Sequence, residues 1–162
     1  MGNYKNFETD FVNRTLHLIG QYESVLHKFD FDEQYNYTLL VNCLLGLIVM
    51  PKEKAVTFLP AENITDQMKQ SMGIVGSSFN PDIKDLKSLI IALRHSVAHS
   101  NLDFISKDKT FLIDEIRFLD REKGSDYVVA AFVPAELLSF VRYYGGWFIS
   151  NLEQYNPKQF EN

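Results

Sequence analysis

Arg94, His95 and His99 fall within the hexapeptide RHSVAH, near the end of the apolar stretch LIIALRHSVAHSNLDF that runs from Leu89 to Phe104. A helix that only had to pack would not need a guanidinium and two imidazoles so close together. An imidazole can act as acid or base near neutral pH, and a guanidinium suits a phosphate. His95 and His99 are also four residues apart, a spacing at which two histidines on one helical face can ligate zinc. That pattern is incomplete. Ser96 stands where the HExxH zinc-hydrolase motif carries glutamate, there is no cysteine cluster, and Asp103 and Asp114 are only conceivable third ligands. The expectation is therefore no metal and no cofactor. A Ser/His/Asp set can be assembled from HSVAHSNLD, but the chain has no Gly-x-Ser-x-Gly elbow. The stretch MGIVGSSFNP lacks the Gly-Lys-Ser/Thr ending of a phosphate loop.

These residues need a helix to position them. At about 100° per residue, Leu86, Leu89, Ile90, Leu93 and Val97 cluster on one side as a packing face. Lys84, Lys87, Ile91, Arg94, His95 and Ala98 cover an arc of roughly 100° on another side, with His99 just beyond its edge. Cations, imidazoles and small apolar groups together suit a partner surface that also handles an anion such as phosphate. A merely solvated face would read the same way. The spacing places the start of this helix at NPDIKDL, with Asn80 as N-cap, Pro81 in the first turn, and Asp82 and Asp85 after it.

Two helices precede it. Phe7, Phe11, Leu18, Tyr22, Val25 and Phe29 recur at helical spacing and predict an amphipathic first helix. The segment from about Glu33 to Met50, stopped by Pro51, is apolar nearly all round, as a central core helix would be. Lys52 to Pro81 carries Pro60, Gly73 and Gly76 and reads as a mobile connection with at most a short helix around Thr65 to Met72. After the third helix, LDFIS, TFLIDEIRFLD and DYVVAAFV predict a two- or three-stranded antiparallel meander. Pro134 opens a last helix with the stripe Leu137, Val141, Tyr144, Phe148 and Leu152, in which Gly145 and Gly146 permit close approach of another backbone or a kink. The fold class is mainly α: a helical bundle with a small antiparallel hairpin or meander inserted before the last helix.

Its 162 residues, 46% of them apolar, suit one domain spanning 1–162. A net charge of −5 excludes a protein that coats nucleic acid through its overall field, so any such contact needs a local basic patch. The polar start MGNYKNFETD and the short run LLVNCLLGLIVM predict no signal peptide and no membrane span, hence a cytoplasmic protein. Cys43, the only cysteine, reads as a core residue. His17 and His27 on the first helix read as surface or boundary residues.

RHSVAH resembles the Arg-x4-His signature of the HEPN superfamily, helical-bundle proteins many of which are ribonucleases. YNYTLLVNCLLGLIVMPKEK, Tyr35 to Lys54, is similar to the second-helix segment of bacterial and plasmid-encoded HEPN nucleases. The resemblance covers about Tyr35 to Ser100. It implies a HEPN-like bundle, a homodimer in which two such motifs form a composite RNA-cleaving site without metal, and a toxin or anti-phage effector restrained by an antitoxin or other regulatory protein. Cleavage by the ribose 2′-hydroxyl needs a base, an acid and positive charge at phosphorus. On that implication His99 is the acid/base, Arg94 the phosphate clamp and His95 an orienting or substrate-contacting group. Lys84 and Lys87 extend the anion track. Asn101 and Asn42 are candidate supporting or substrate-binding amides, although Asn42 also reads as a core amide bonded to backbone. A non-catalytic HEPN-like adaptor that dimerises and binds a protein or nucleotide is the alternative.

Overall fold

The structure is a computed structural model and describes residues 4–30, 33–49, 56, 60–107, 109 and 112–154. The predicted stop at Pro51, and Asp108, Thr110 and Phe111 of the predicted meander, lie outside the described residues. The chain sorts into two compact units, one formed by Met1–Leu59 with Val141–Asn162 and the other by Pro60–Phe140.

The first unit contains helices α1 (Phe7–Val25), α2 (Asn36–Val49) and most of the last helix, Pro134–Gln154, called α5 below. Asn6 caps α1 by accepting from the Thr9 amide, and a 3-10 turn over Leu26–Lys28 follows it. The buried line of α1 is Val12, Thr15 and Ile19, together with Glu8, and not the predicted aromatic face; Leu18 is 50% exposed and Phe29 41%. The close approach of α5 accounts for the difference. A Cβ on Gly145 would lie 3.2 Å from Val12 Cγ1 and from Leu16 Cδ1, so this glycine lets α5 press on the branched side chains of α1. Phe7 and Phe11 stack on each other instead, at 5.6 Å. On α2, Leu40, Val41, Leu44, Leu47 and Ile48 are buried. Asn42 is exposed, correcting the core-amide reading: it lies roughly 160° around the helix from Leu44. Cys43 is buried in the core, and burial pushes its thiol up.

The second unit joins helices to a sheet. Helix α3 (Asp66–Ser71) is capped by Thr65, whose hydroxyl accepts from the Met68 amide. Strand β1 (Ser78–Phe79), helix α4 (Leu86–Ala98), strands β2 (Leu102–Ile105), β3 (Glu115–Leu119) and β4 (Val128–Phe132), and the first turns of α5 follow. The sheet is wholly antiparallel, in the order β1-β4-β3-β2, so a strand from the predicted connection is added to the three after α4. Residues 60–81 are packed and do not form a loose tether. Met72, Ile74 and Ser77 are buried, and the Glu136 carboxylate accepts from the amides of Val75, Gly76 and Ser77 and from the Ser77 hydroxyl. Partial burial raises the Glu136 carboxyl, but these bonds outweigh it and hold the group at about 2.

Helix α4 begins later than predicted. Asp85 is its N-cap, accepting from the Ser88 amide at 2.8 Å and from the Ser88 hydroxyl at 2.7 Å. Asn80 is drawn away, because its side chain donates to the Val128 carbonyl and accepts from the Asp82 amide. Leu86, Leu89, Ile90 and Leu93 are fully buried, and Ser96 takes the place predicted for Val97, with its hydroxyl donating to the Ala92 carbonyl.

Candidate functional site

The end of α4 is fixed by its backbone. His99 is the C-cap, Ser100 has φ 54, and the amides of Ser100 and Asn101 donate to the carbonyls of Val97 and Ser96 at 3.0 and 2.8 Å. This is a Schellman closure with serine in the left-handed position that glycine usually fills. It keeps His99 in the last turn, beside His95, with ring centroids 4.4 Å apart. Asn101 is buried, and its carbonyl accepts from the Leu119 amide, which ties the helix end to β3.

The turn after β3 reaches back over this helix. Asp120, 8% exposed, accepts from the Glu122 amide through Oδ1, and its own amide donates to the Tyr127 carbonyl. Asp120 Oδ1 and Glu122 Oε2 stand 3.5 and 3.6 Å from His95 Nε2. That nitrogen is shielded from solvent and makes no hydrogen bond among the described residues, although the His95 side chain is 31% exposed. The separations exceed the ~2.7–2.9 Å of a charge-assisted hydrogen bond. One donor atom each from His95, His99 and Glu122 lies within 4.8 Å of the others, so these residues could hold a metal ion. A groove of about 680 Å³ opens beside them, with Ile91, Ala92 and His95 on one wall and Asp120, Glu122 and Lys123 on another.

The other candidates are dispersed. Arg94 is half-buried on α4, roughly 140° around the axis from His99. Lys87 is half-buried in the first turn of α4, whereas Lys84 precedes the helix and its carbonyl accepts from the Ile64 amide. Asn42 belongs to the other compact unit. Asp103 faces Arg121 at 3.7 Å and Asp114 accepts from the Lys107 amide at 2.6 Å, so each has a partner away from the two histidines. Asp120 and Glu122 were missed. Their signal was the charged turn LDREKG between two strand patterns, in which Asp120 read as the end of a strand and Glu122 as part of a separator.

Neither a curated protein nor a solved structure matches the chain. No helix among the described residues is long and apolar enough to cross a membrane. The family model described as HEPN pEK499 p136 matches residues 1–155, across both compact units, and the chain therefore belongs to this HEPN family.

Proposed function

We propose that the chain is a metal-independent endoribonuclease, acting as a toxin or anti-phage effector, whose site is completed by a second copy of the same chain. The observation that carries this reading is Arg94-x4-His99 at the closed end of α4 in a chain of a HEPN family, with His99 exposed. Within one copy Arg94 and His99 point about 140° apart. Pairing two helix ends brings the arginine of one copy toward the histidine of the other. Ile91, 49% exposed, and Ala98 offer small apolar surface for that pairing.

In this mechanism one His99 takes the proton of a ribose 2′-hydroxyl, the oxygen attacks phosphorus, and the 5′-oxygen leaves with a proton from the His99 of the second copy. Arg94 offsets the negative charge gained at phosphorus. His95 orients His99 through their ring contact. Lys87 and Lys84 draw the RNA backbone in, and Asn101 supports the helix end.

Purified protein incubated with mixed RNA tests the reading. The products should end in 2′,3′-cyclic phosphate, DNA should be untouched, and chelator should not slow the reaction. Arg94→Ala and His99→Ala should each lower cleavage at least ~10²-fold while folding survives. His95→Ala should cost less, because it loses geometry and keeps the proton transfer. A folded His99→Ala variant cutting at full rate overturns the assignment.

A further inference from the structure

We propose that His95, His99 and Glu122 form a binding site for a divalent cation of the zinc class, and that filling it silences the nuclease. The second half rests on the nuclease reading; the first does not. Two imidazoles one helical turn apart and one carboxylate make a borderline-soft donor set that suits zinc and leaves a fourth position for water. Two ligands of one tetrahedral zinc are separated by ~3.3 Å, given metal–nitrogen bonds of ~2.05 Å. Glu122 Oε2 stands 3.6 Å from His95 Nε2, too far for a good hydrogen bond and close to that ligand spacing. The full set lies within 4.8 Å, and turns of His99 and Glu122, both exposed, would bring it to ligand spacing.

The surroundings favour a cation. Asp82, Asp120 and Glu122 line the groove against one lysine, Lys123. Asp120 Oδ1, 3.5 Å from His95 Nε2, adds negative charge beside that nitrogen at a side chain only 12% exposed. An RNA phosphate would be repelled from this wall and would approach along Lys87 and Arg94 instead. A metal on His99 occupies a lone pair that the base needs to receive the 2′-hydroxyl proton. Removing the ion restores it.

The test is a zinc titration of metal-stripped protein against a chromogenic zinc indicator, with an RNA cleavage assay on the same samples. Wild type should bind one zinc per chain. His95→Ala and Glu122→Gln should bind at least ~10-fold more weakly, and His17→Ala should bind as wild type does. Glu122 lies on an exposed turn, so circular dichroism should show that Glu122→Gln folds normally. Equal affinity in wild type and folded Glu122→Gln overturns the site. One equivalent of zinc should stop cleavage and chelator should restore it; zinc-loaded protein that cuts at full rate overturns the silencing. Stripped protein that cuts no RNA removes the nuclease reading and the silencing together, while the indicator titration still decides the site.

Discussion

Gly145 and Gly73 each stand where a side chain would press on a neighbour, but they belong to differently built parts of the chain. Gly145 lies inside a helix with ordinary backbone angles, and the atoms near its missing Cβ are ends of side chains, Leu16 Cδ1 and Val12 Cγ1 at 3.2 Å. Gly73 has φ +69, and a Cβ there would come within 2.6 Å of Ser139 Cβ. Around Gly145 the helices of the first unit meet through apolar stripes that can shift by fractions of an ångström. Around Gly73 the second unit is held by point contacts between distant segments, such as Glu136 with Val75, Gly76 and Ser77, and Asn80 with Val128. Stripe packing tolerates small changes, whereas point contacts fail one at a time.

The largest expected difference follows directly. Gly73→Ala adds a left-handed residue penalty to a collision with a Cβ that cannot rotate away, and should cost roughly 2–4 kcal/mol. Gly145→Ala gains helix propensity against mild crowding, and should change stability by less than ~1 kcal/mol. Denaturant unfolding of both variants checks this, and equal losses would break the contrast between the two units.

A smaller effect comes from Glu136. Its folded carboxyl ionises at about 2 against an ordinary 4.5, so its bonds contribute fully above pH 4.5 and fade as the pH falls toward 2. Glu136→Gln should cost about 1–2 kcal/mol at neutral pH, after allowance for its solvent exposure. Its stability should also fall less steeply than that of wild type below pH 4.5. Parallel acid slopes would show that Glu136 is not the group that titrates.

The sequence showed most where neighbours are close along the chain. The stripe Leu137, Val141, Tyr144, Phe148 and Leu152 is buried as read, and the short helix read around Thr65 to Met72 is present over Asp66–Ser71. What stayed hidden depends on partners far along the chain. Asn80 is a good N-cap by type, but Val128 takes its side chain, and only then does Asp85 become the cap. Ser78–Phe79 is too short to show a strand period, and its partner strand lies some fifty residues on. The same limit hid part of the candidate site. His95 and His99 share a helix and were found together, whereas Asp120 and Glu122 reach them only once β3 ends over α4.

The smallest expected effect lies between those two kinds of construction, at Ser100. A helix can close its own end with local hydrogen bonds, but the closure of α4 requires a left-handed residue at this position, and serine has φ 54 there. Holding a non-glycine residue in that region costs on the order of 1 kcal/mol. Ser100→Gly should therefore raise stability by up to about 1 kcal/mol, or about 2–4 °C in the unfolding midpoint of a chain this size. Asn101 still donates to Ser96 and ties the helix end to β3, so His99 should keep its place and RNA cleavage should stay within about twofold of wild type. A thermal scan paired with the cleavage assay decides the matter. A lowered midpoint would mean that the serine hydroxyl contributes more than the strained backbone costs. A raised midpoint with lost cleavage would mean that His99 is positioned by that strain and not by the hydrogen bonds of the cap.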